Sequence, residues 1–148
     1  MSAEVITTRW CTPDELHLVN VRYAEVRFQP SAEGDRQLVA FAFGHLAGLG
    51  RLVSYSPAVE LGGIWVDPAH RGQGLARAVV SRLVAAAGLG PVYCLPFAKL
   101  EPFYASFGFR QVSSGEAPSA LQVKLQFCAA TYADPTLLMR LVERVQAR

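Results

Sequence analysis

GIWVDPAHRGQGLARAV, residues 63–79, is the stretch of sequence that decides the fold. Residues 63–68 are typical of a strand and its end, and the apolar residues from Leu75 onward recur at helical spacing. Between these elements, Gly72 and Gly74 allow a tight turn and a close approach of the backbone to a ligand. Amides at the start of the helix would point outward with the positive end of the helix dipole. The stretch therefore predicts a strand, an anion-binding turn and a helix.

The spacing of this turn excludes two nucleotide-binding motifs. A P-loop needs a lysine directly after its second conserved glycine, and no lysine follows either glycine here. The dinucleotide-binding fingerprint needs a small residue at the position of Arg77, which is too bulky for close packing of helix and strand. What remains is the pattern R-x-x-G-x-A, formed by Arg71, Gly74 and Ala76.

Length and composition limit the possible partners. A chain of 148 residues with 51% hydrophobic residues predicts a single domain over residues 1–148. The net charge is only +2 and the basic residues are dispersed, so nucleic acid is a poor candidate partner. No stretch has the roughly 18 consecutive apolar residues of a membrane span, and no signal peptide is visible. We therefore expect a cytoplasmic protein without a membrane partner, and the sequence leaves room for a homodimer.

Cysteine and histidine spacing gives no sign of a metal site. The three cysteines cannot all pair with one another and form no C-x-x-C motif, so we expect reduced, buried thiols. The three histidines show no metal-ligand spacing either. The residues concerned are Cys11, Cys94, Cys128, His17, His45 and His70.

The remaining chain reads as alternating helices and strands. Thr12 and Glu15 form a predicted capping box, and Pro13 suits the first position of the helix. Predicted strands cover 37–43, 46–55, 59–66, 91–95 and 109–112, with a loop at 29–36 and a short helix at 99–107. Residues 118–131 fit two patterns, because their apolar residues alternate as in a strand and also recur at helical spacing.

Two segments together resemble the GNAT superfamily of N-acetyltransferases. Arg71, Gly74 and Ala76 match its pyrophosphate loop, and Tyr104, Gly108 and Phe109 are similar to its Y-x-x-x-G-F segment. The resemblance implies an α/β (α+β) fold with a mixed, mostly antiparallel central sheet, flanked by helices and splayed at the acetyl-CoA site. It also favours a helix at 118–131, since residues 138–141 supply the apolar-Met-x-apolar pattern of the last strand.

The resemblance implies acetyl-CoA as co-substrate and no metal. The diphosphate would bind the loop, and backbone N–H groups of the preceding strand would position the thioester. Gly62-Gly63 marks either a bulge in that strand or a close approach of a neighbouring side chain. The implied cofactor-binding residues are Ile64, Trp65, Val66, Arg71, Gly72, Gln73, Gly74, Leu75 and Ala76.

Two residues are candidates for the proton transfers of acyl transfer. Glu60, at the start of the strand before the loop, would act as the base directly or through a water, because its apolar neighbours favour a more basic carboxylate. The alternative is a solvated glutamate at a strand edge. Tyr104 would protonate the departing thiolate, as a tyrosine does at this position in many members of the family. The alternative is a core aromatic residue.

The acceptor site would be bounded by the first helix and the loop after it. The resemblance implies that Asn20, Tyr23, Phe28, Ser31 and Arg51 line it, and Arg51 could bind a substrate carboxylate through two hydrogen bonds. The chain departs from the family at Phe97, where many members have an asparagine that contacts the cofactor.

These observations predict an N-acetyltransferase that moves an acetyl group from acetyl-CoA to the primary amine of a small molecule, which could be an amino acid. The transfer would be a direct attack in a ternary complex, because Cys94 lies in an apolar setting without an adjacent base. The alternatives are a non-catalytic acyl-CoA-binding or sensing module and an acetyltransferase that acts on a protein lysine or N-terminus.

Overall fold

A computed structural model describes residues 5–144 of the chain. The strands are β1 (Ile6–Trp10), β2 (Arg36–Ala42), β3 (His45–Tyr55), β4 (Ala58–Val66), β5 (Val92–Cys94), β6 (Phe109–Gln111) and β7 (Met139–Leu141). The α-helices are α1 (Leu16–Glu25), α2 (Leu75–Ala86), α3 (Glu101–Ala105) and α4 (Ser119–Thr131). Within the described residues, no helix is long and apolar enough to cross a membrane.

The strands form a seven-stranded sheet in the order β1-β2-β3-β4-β5-β7-β6. Strands β4 and β5 run parallel, whereas β1 and β2, β2 and β3, β5 and β7, and β6 and β7 pair antiparallel. The predicted α/β class with a mixed, mostly antiparallel sheet and flanking helices is confirmed.

The chain divides into two compact units. The first contains the described residues of Met1–Val53 and Gly63–Ala86, and the second those of Ser54–Gly62 and Ala87–Arg148. The core of the first unit is built around Val19, Tyr23, Val39, Leu49 and Trp65. The core of the second is built around Ala58, Tyr93, Ala117, Leu121 and Leu138.

The predicted element boundaries hold closely. The backbone N–H of Thr12 donates to Glu15 Oε1 at 2.9 Å, as the capping box requires, although the first turn is a 3-10 helix over Pro13–Glu15. The loop at 29–36 lies between α1 and β2 as the sequence predicts, although β2 already begins at Arg36, and strand β1 was not predicted. The predicted short helix at 99–107 divides into a 3-10 turn at Ala98–Leu100 and α3.

All of residues 118–131 except Pro118, which precedes α4, are helical, and this decides between the two patterns that the sequence offered. Leu121 and Cys128 are buried, two turns apart on one face of α4, while Val123 and Phe127 are exposed. The alternation that suggested a strand therefore does not correspond to a buried and an exposed face. Strand β7 contains the predicted Met139.

Candidate active site

The glycine loop directly follows β4. The side chain of Asp67 accepts a hydrogen bond from the backbone N–H of Ala69 at 2.9 Å and caps a 3-10 turn over Pro68–His70. Gly72 and Gly74 then have φ angles of +80° and +88°, which side-chain-bearing residues rarely adopt. Nothing lies within 4 Å of the position that a Cβ atom would take at either glycine. The turn needs glycine for its backbone conformation and leaves open space above it.

Helix α2 begins at Leu75 and presents its first turn to this space. The N–H of Ala78 donates to the carbonyl of Gly74 at 3.0 Å, so the amides before it have no acceptor within the helix. Residues 71–74 are exposed, while Leu75 is buried and anchors the helix. Exposed amides at the positive end of a helix dipole fit the charge of a diphosphate.

Strand β4 is distorted just before Ile64, Trp65 and Val66. Gly63 has a φ angle of +62°, and its carbonyl accepts a hydrogen bond from the Tyr23 hydroxyl at 2.7 Å. A Cβ atom on Gly63 would lie 2.6 Å from that hydroxyl oxygen and 2.9 Å from Arg51 Nε. Gly63 thus combines both interpretations of the glycine pair, since its backbone departs from β geometry and side chains approach it closely.

Glu60 lies at the other end of β4. The register of β4 with β5 covers Val59 and Glu60, so Ile64, Trp65 and Val66 lie beyond this ladder. The Glu60 side chain is buried, with 3% of the residue exposed, so its interpretation as a solvated strand-edge residue is wrong. Lys124 Nζ donates to Oε1 at 2.7 Å and to Oε2 at 2.9 Å. The predicted base is therefore a buried carboxylate paired with a partly exposed lysine.

Sequence reasoning missed Lys124. The lysine lies 64 positions after Glu60, on a segment that the sequence left between helix and strand. Its side chain is 24% exposed. If Glu60 is buried, its carboxylate needs a nearby cation, and this was the one indication in the sequence. It does not identify which lysine or arginine provides that cation.

Tyr104 lies on α3 with 6% of its surface exposed. Its ring packs edge-to-face on Phe103 and Phe109, with centroid distances of 5.1 and 6.1 Å. Burial raises the pKa of Tyr104 far above its usual value, with a smaller contribution from Cys94. Among residues 5–144, no group forms a hydrogen bond with its hydroxyl. Tyr104 is thus a buried aromatic residue whose hydroxyl stays protonated, and its role as the acid stays a prediction.

Cys94 is a poor nucleophile in this structure. Only 2% of the residue is exposed, and burial raises the pKa of its thiol well above the ordinary value, with a further contribution from the charge of Glu60. A buried thiol that resists ionisation does not support a covalent acyl intermediate.

The predicted acceptor residues play different structural roles. Asn20 donates to the carbonyl of Ser31 at 3.1 Å and accepts from its N–H at 2.7 Å, so its amide fixes the segment after α1. Ser31 is itself buried. The rings of Tyr23 and Phe28 lie 6.0 Å apart. The side chains of Asn20 and Ser31 thus form hydrogen bonds to residues of the segment after α1. Arg51 differs from them, because its Nη1 has no partner among residues 5–144.

Arg51 is buried on β3 beside Tyr23. Its guanidinium carbon lies 4.5 Å from the centroid of the Tyr23 ring, and burial raises the pKa of Tyr23 to about 12. Gln37, which the sequence analysis did not single out, pairs with Arg51 across β2 and β3. Its Nε2 donates to the Tyr23 hydroxyl at 3.0 Å and to the carbonyls of Leu38 and Gly50. Helix α1 and strands β2 to β4 therefore meet in one polar cluster.

Two other predictions concern residues outside this cluster. Phe97 packs edge-to-face on Tyr132 with a centroid distance of 5.5 Å, which is an apolar role.

His45 and His70 have ring centroids 6.5 Å apart. Residues 5–144 contain no group of three or more His, Cys, Asp or Glu side chains placed to hold a metal ion.

The sequence profile of the acetyltransferase (GNAT) domain matches residues 32–111, which is more than half of the chain and includes β4, the glycine loop and α2. The chain belongs to the GNAT acetyltransferase family. No curated protein sequence matches the chain.

Solved structures of GNAT proteins share this fold. N-acetylglutamate synthase from Neisseria gonorrhoeae, determined with coenzyme A and L-arginine, has a TM-score of 0.71 and 15% identity over 94% of this chain and 34% of that protein. An acyl-CoA N-acyltransferase from Pseudomonas aeruginosa has a TM-score of 0.66 and 24% identity, over 91% of this chain and 97% of that one. The ribosomal-protein-S18-alanine N-acetyltransferase from Escherichia coli has a TM-score of 0.65 and 16% identity, over 97% of each chain.

These likenesses show the fold and not the substrate. The chain spans about a third of the length of the N. gonorrhoeae synthase. The coenzyme A in that structure is consistent with acetyl-CoA binding by a GNAT domain.

Proposed function

We propose that the chain is an N-acetyltransferase that transfers an acetyl group from acetyl-CoA to the primary amine of a small molecule. The observation that supports this proposal most directly is that three features follow one another along a chain of the GNAT family. Strand β4 is distorted at Gly63, it leads into an exposed loop with two left-handed glycines, and α2 starts directly after that loop. Cytoplasmic location and the absence of nucleic-acid and membrane partners remain predictions from the sequence, as does the single domain.

The loop would hold the diphosphate and β4 the thioester. Amides of the first turn of α2, with those of Gly72 and Gly74, would donate to phosphate oxygens, and the exposed Arg71 would add a positive charge. Backbone N–H groups at Ile64 to Val66 would donate to the thioester carbonyl as negative charge develops on its oxygen. Acetyl-CoA supplies an acyl group activated by a thiolate leaving group.

The acceptor amine has to lose a proton before it attacks, because an aliphatic ammonium has a pKa of roughly 10. Glu60 is the proposed base. Lys124 occupies one direction on each carboxylate oxygen, and an ionised carboxylate has about four lone-pair sites. Glu60 can therefore still accept a proton from an amine or a water while the ion pair is intact.

Tyr104 is the proposed acid for the departing thiolate. Its hydroxyl is protonated because burial raises its pKa, and no described residue from 5 to 144 competes for that proton. The burial of Cys94 favours direct attack in a ternary complex over a covalent intermediate.

One observation favours a second function. Because Lys124 already neutralises Glu60, the pair could serve stability alone. In that case the chain would be a non-catalytic acyl-CoA-binding module.

The test is thiol release from acetyl-CoA with a panel of primary amines, amino acids and short peptides. Wild type, Glu60→Gln and Tyr104→Phe are compared, and acetyl-CoA binding is measured by calorimetry in the same samples. We expect turnover with small amines and a loss of turnover of roughly 100-fold or more in both variants. Cofactor binding without turnover would favour the binding module, turnover only with peptides would favour a protein acceptor, and absence of cofactor binding would overturn the proposal.

A further inference from the structure

Arg51 is a buried cation for which residues 5–144 provide no counter-ion. Only 4% of the residue is exposed, and within residues 5–144 no acceptor lies within hydrogen-bond distance of its Nη1. No described carboxylate forms an ion pair with it either. Burying a guanidinium costs free energy that an anion normally offsets. The fold therefore maintains an unfavourable charge at this point.

The surroundings of Arg51 do not neutralise it. The face of the Tyr23 ring attracts the guanidinium but carries no net charge. The carboxylate of Asp35 is already used by the N–H of Ala32 at 3.0 Å and the hydroxyl of Ser31 at 3.5 Å. Gln37, the cross-strand neighbour, also has a buried side-chain atom without a partner, its Oε1. One buried donor and one buried acceptor, on residues that pair across β2 and β3, thus have no partner among the described residues.

The position of the guanidinium relates it to the proposed reaction. Arg51 Nε lies 2.9 Å from the position that a Cβ atom would take on Gly63. Gly63 is the residue before Ile64, where the backbone N–H groups proposed to position the thioester begin. Arg51 therefore lies against β4 at the residue before the backbone N–H groups that are proposed to position the thioester.

We infer that Arg51 binds a carboxylate of the acceptor, so that the acceptor is a free amino acid or a similarly compact amine that carries a carboxylate. This inference rests on the proposed function and names its substrate class. Guanidinium and carboxylate match as a planar pair with two parallel hydrogen bonds. In an α-amino acid only one carbon separates carboxylate and amine, so an acceptor held at Arg51 would have its nitrogen close to its carboxylate and hence near the Gly63 end of the proposed thioester site.

The same geometry disfavours protein acceptors. A lysine side chain in a protein has its amine several carbons from the backbone, where a peptide bond replaces the carboxylate. A protein N-terminus likewise has an amide at the position of the carboxylate. The small exposed fraction of Arg51 also favours a compact ligand.

The test compares each standard primary amino acid with the amine left when its α-carboxylate is removed, such as leucine with 3-methylbutylamine and phenylalanine with phenethylamine. Binding to the coenzyme A complex is measured by calorimetry for wild type, Arg51→Met, Arg51→Lys and Arg82→Met. Arg82 is the matched control, because it is an exposed arginine whose guanidinium lies 5.4 Å from the Trp10 ring centroid.

In wild type and Arg82→Met, we expect at least one amino acid to bind roughly 10- to 100-fold more tightly than its amine. Arg51→Met should lose this preference, and Arg51→Lys should recover only part of it. The Tm of ligand-free Arg51→Met should not fall below that of wild type, because an uncompensated cation has been removed.

Three results would overturn the inference: a preference for the amines, no amino acid binding in wild type, or a preference that survives in Arg51→Met. A lower Tm with an unchanged preference would make Arg51 a structural residue. Thiol release with the decarboxylated amines would still support the proposed acetyltransferase, so the two failures can be told apart.

Discussion

Two buried tyrosines in the second unit provide a matched pair of substitutions. The Tyr93 hydroxyl donates to the carbonyl of Glu116 at 3.0 Å, whereas no group among the described residues binds the Tyr104 hydroxyl. We expect Tyr104→Phe to lower kcat by roughly 100-fold or more with an unchanged Tm. Tyr93→Phe should lose about 1 kcal/mol of stability and keep its kcat. Steady-state kinetics and thermal unfolding of both variants test this. A kcat of Tyr104→Phe equal to that of wild type would exclude Tyr104 as the acid.

The pair of Glu60 and Lys124 predicts a large stability effect from one lysine. Lys124→Met leaves a buried carboxylate without its cation, which we expect to cost about 2 kcal/mol, less than for a fully buried pair because Lys124 is partly exposed. The double variant Glu60→Gln/Lys124→Met should be more stable than Lys124→Met alone. Urea unfolding of the single and double variants measures the coupling. Additive losses would mean that the two side chains do not interact in solution.

Single residues also show where sequence reasoning ends. Gly72 and Gly74 were predictable because their backbone conformation restricts the residue type directly. Lys124 was not, because its role depends on a partner far away in the sequence and on the helical state of its own segment. Gln37 was missed since an amide on a strand gives no local signal, although it joins Tyr23 to two strands.

Among the elements, the glycine loop can be compared with another turn of the same unit. Gly74 and Gly44 have φ angles of +88° and +81°, and neither has an atom within 4 Å of an added Cβ. Replacing either by alanine should cost about 1 kcal/mol in backbone strain. Only Gly74→Ala should also weaken coenzyme A binding, by 10-fold or more, because it displaces the amides before α2. Calorimetric titration of both variants with coenzyme A measures this effect. Equal affinities of the two variants for coenzyme A would mean that the loop does not bind the diphosphate.

Helix α4 shows why an element could remain undecided until the structure was known. Its sequence contains both a two-residue and a helical apolar period, so local pattern alone favours neither. The packing of Leu121 in the core of the second unit and the burial of Cys128 favour the helix. The helices and strands with a single period, such as α2 and β2, were predictable almost to the residue.

At the scale of the whole molecule, acetyl-CoA should act as a stabilising ligand. A ligand at 100 times its Kd adds about 2.7 kcal/mol to the free energy of unfolding. For a chain of 148 residues this corresponds to a rise in Tm of roughly 5 to 10 °C. Thermal unfolding at increasing acetyl-CoA concentrations checks this, with Gly74→Ala as the variant that should shift less. A Tm independent of acetyl-CoA would contradict the proposed cofactor.

The uneven burial of the three cysteines decides how this protein can be labelled. Cys94 and Cys128 expose only 2% and 8% of their surfaces, while Cys11 lies at the end of β1 in a partly open position. A maleimide dye under native conditions consequently has one accessible attachment point, without any cysteine having to be removed. Fluorescence from that point would report on the first unit alone.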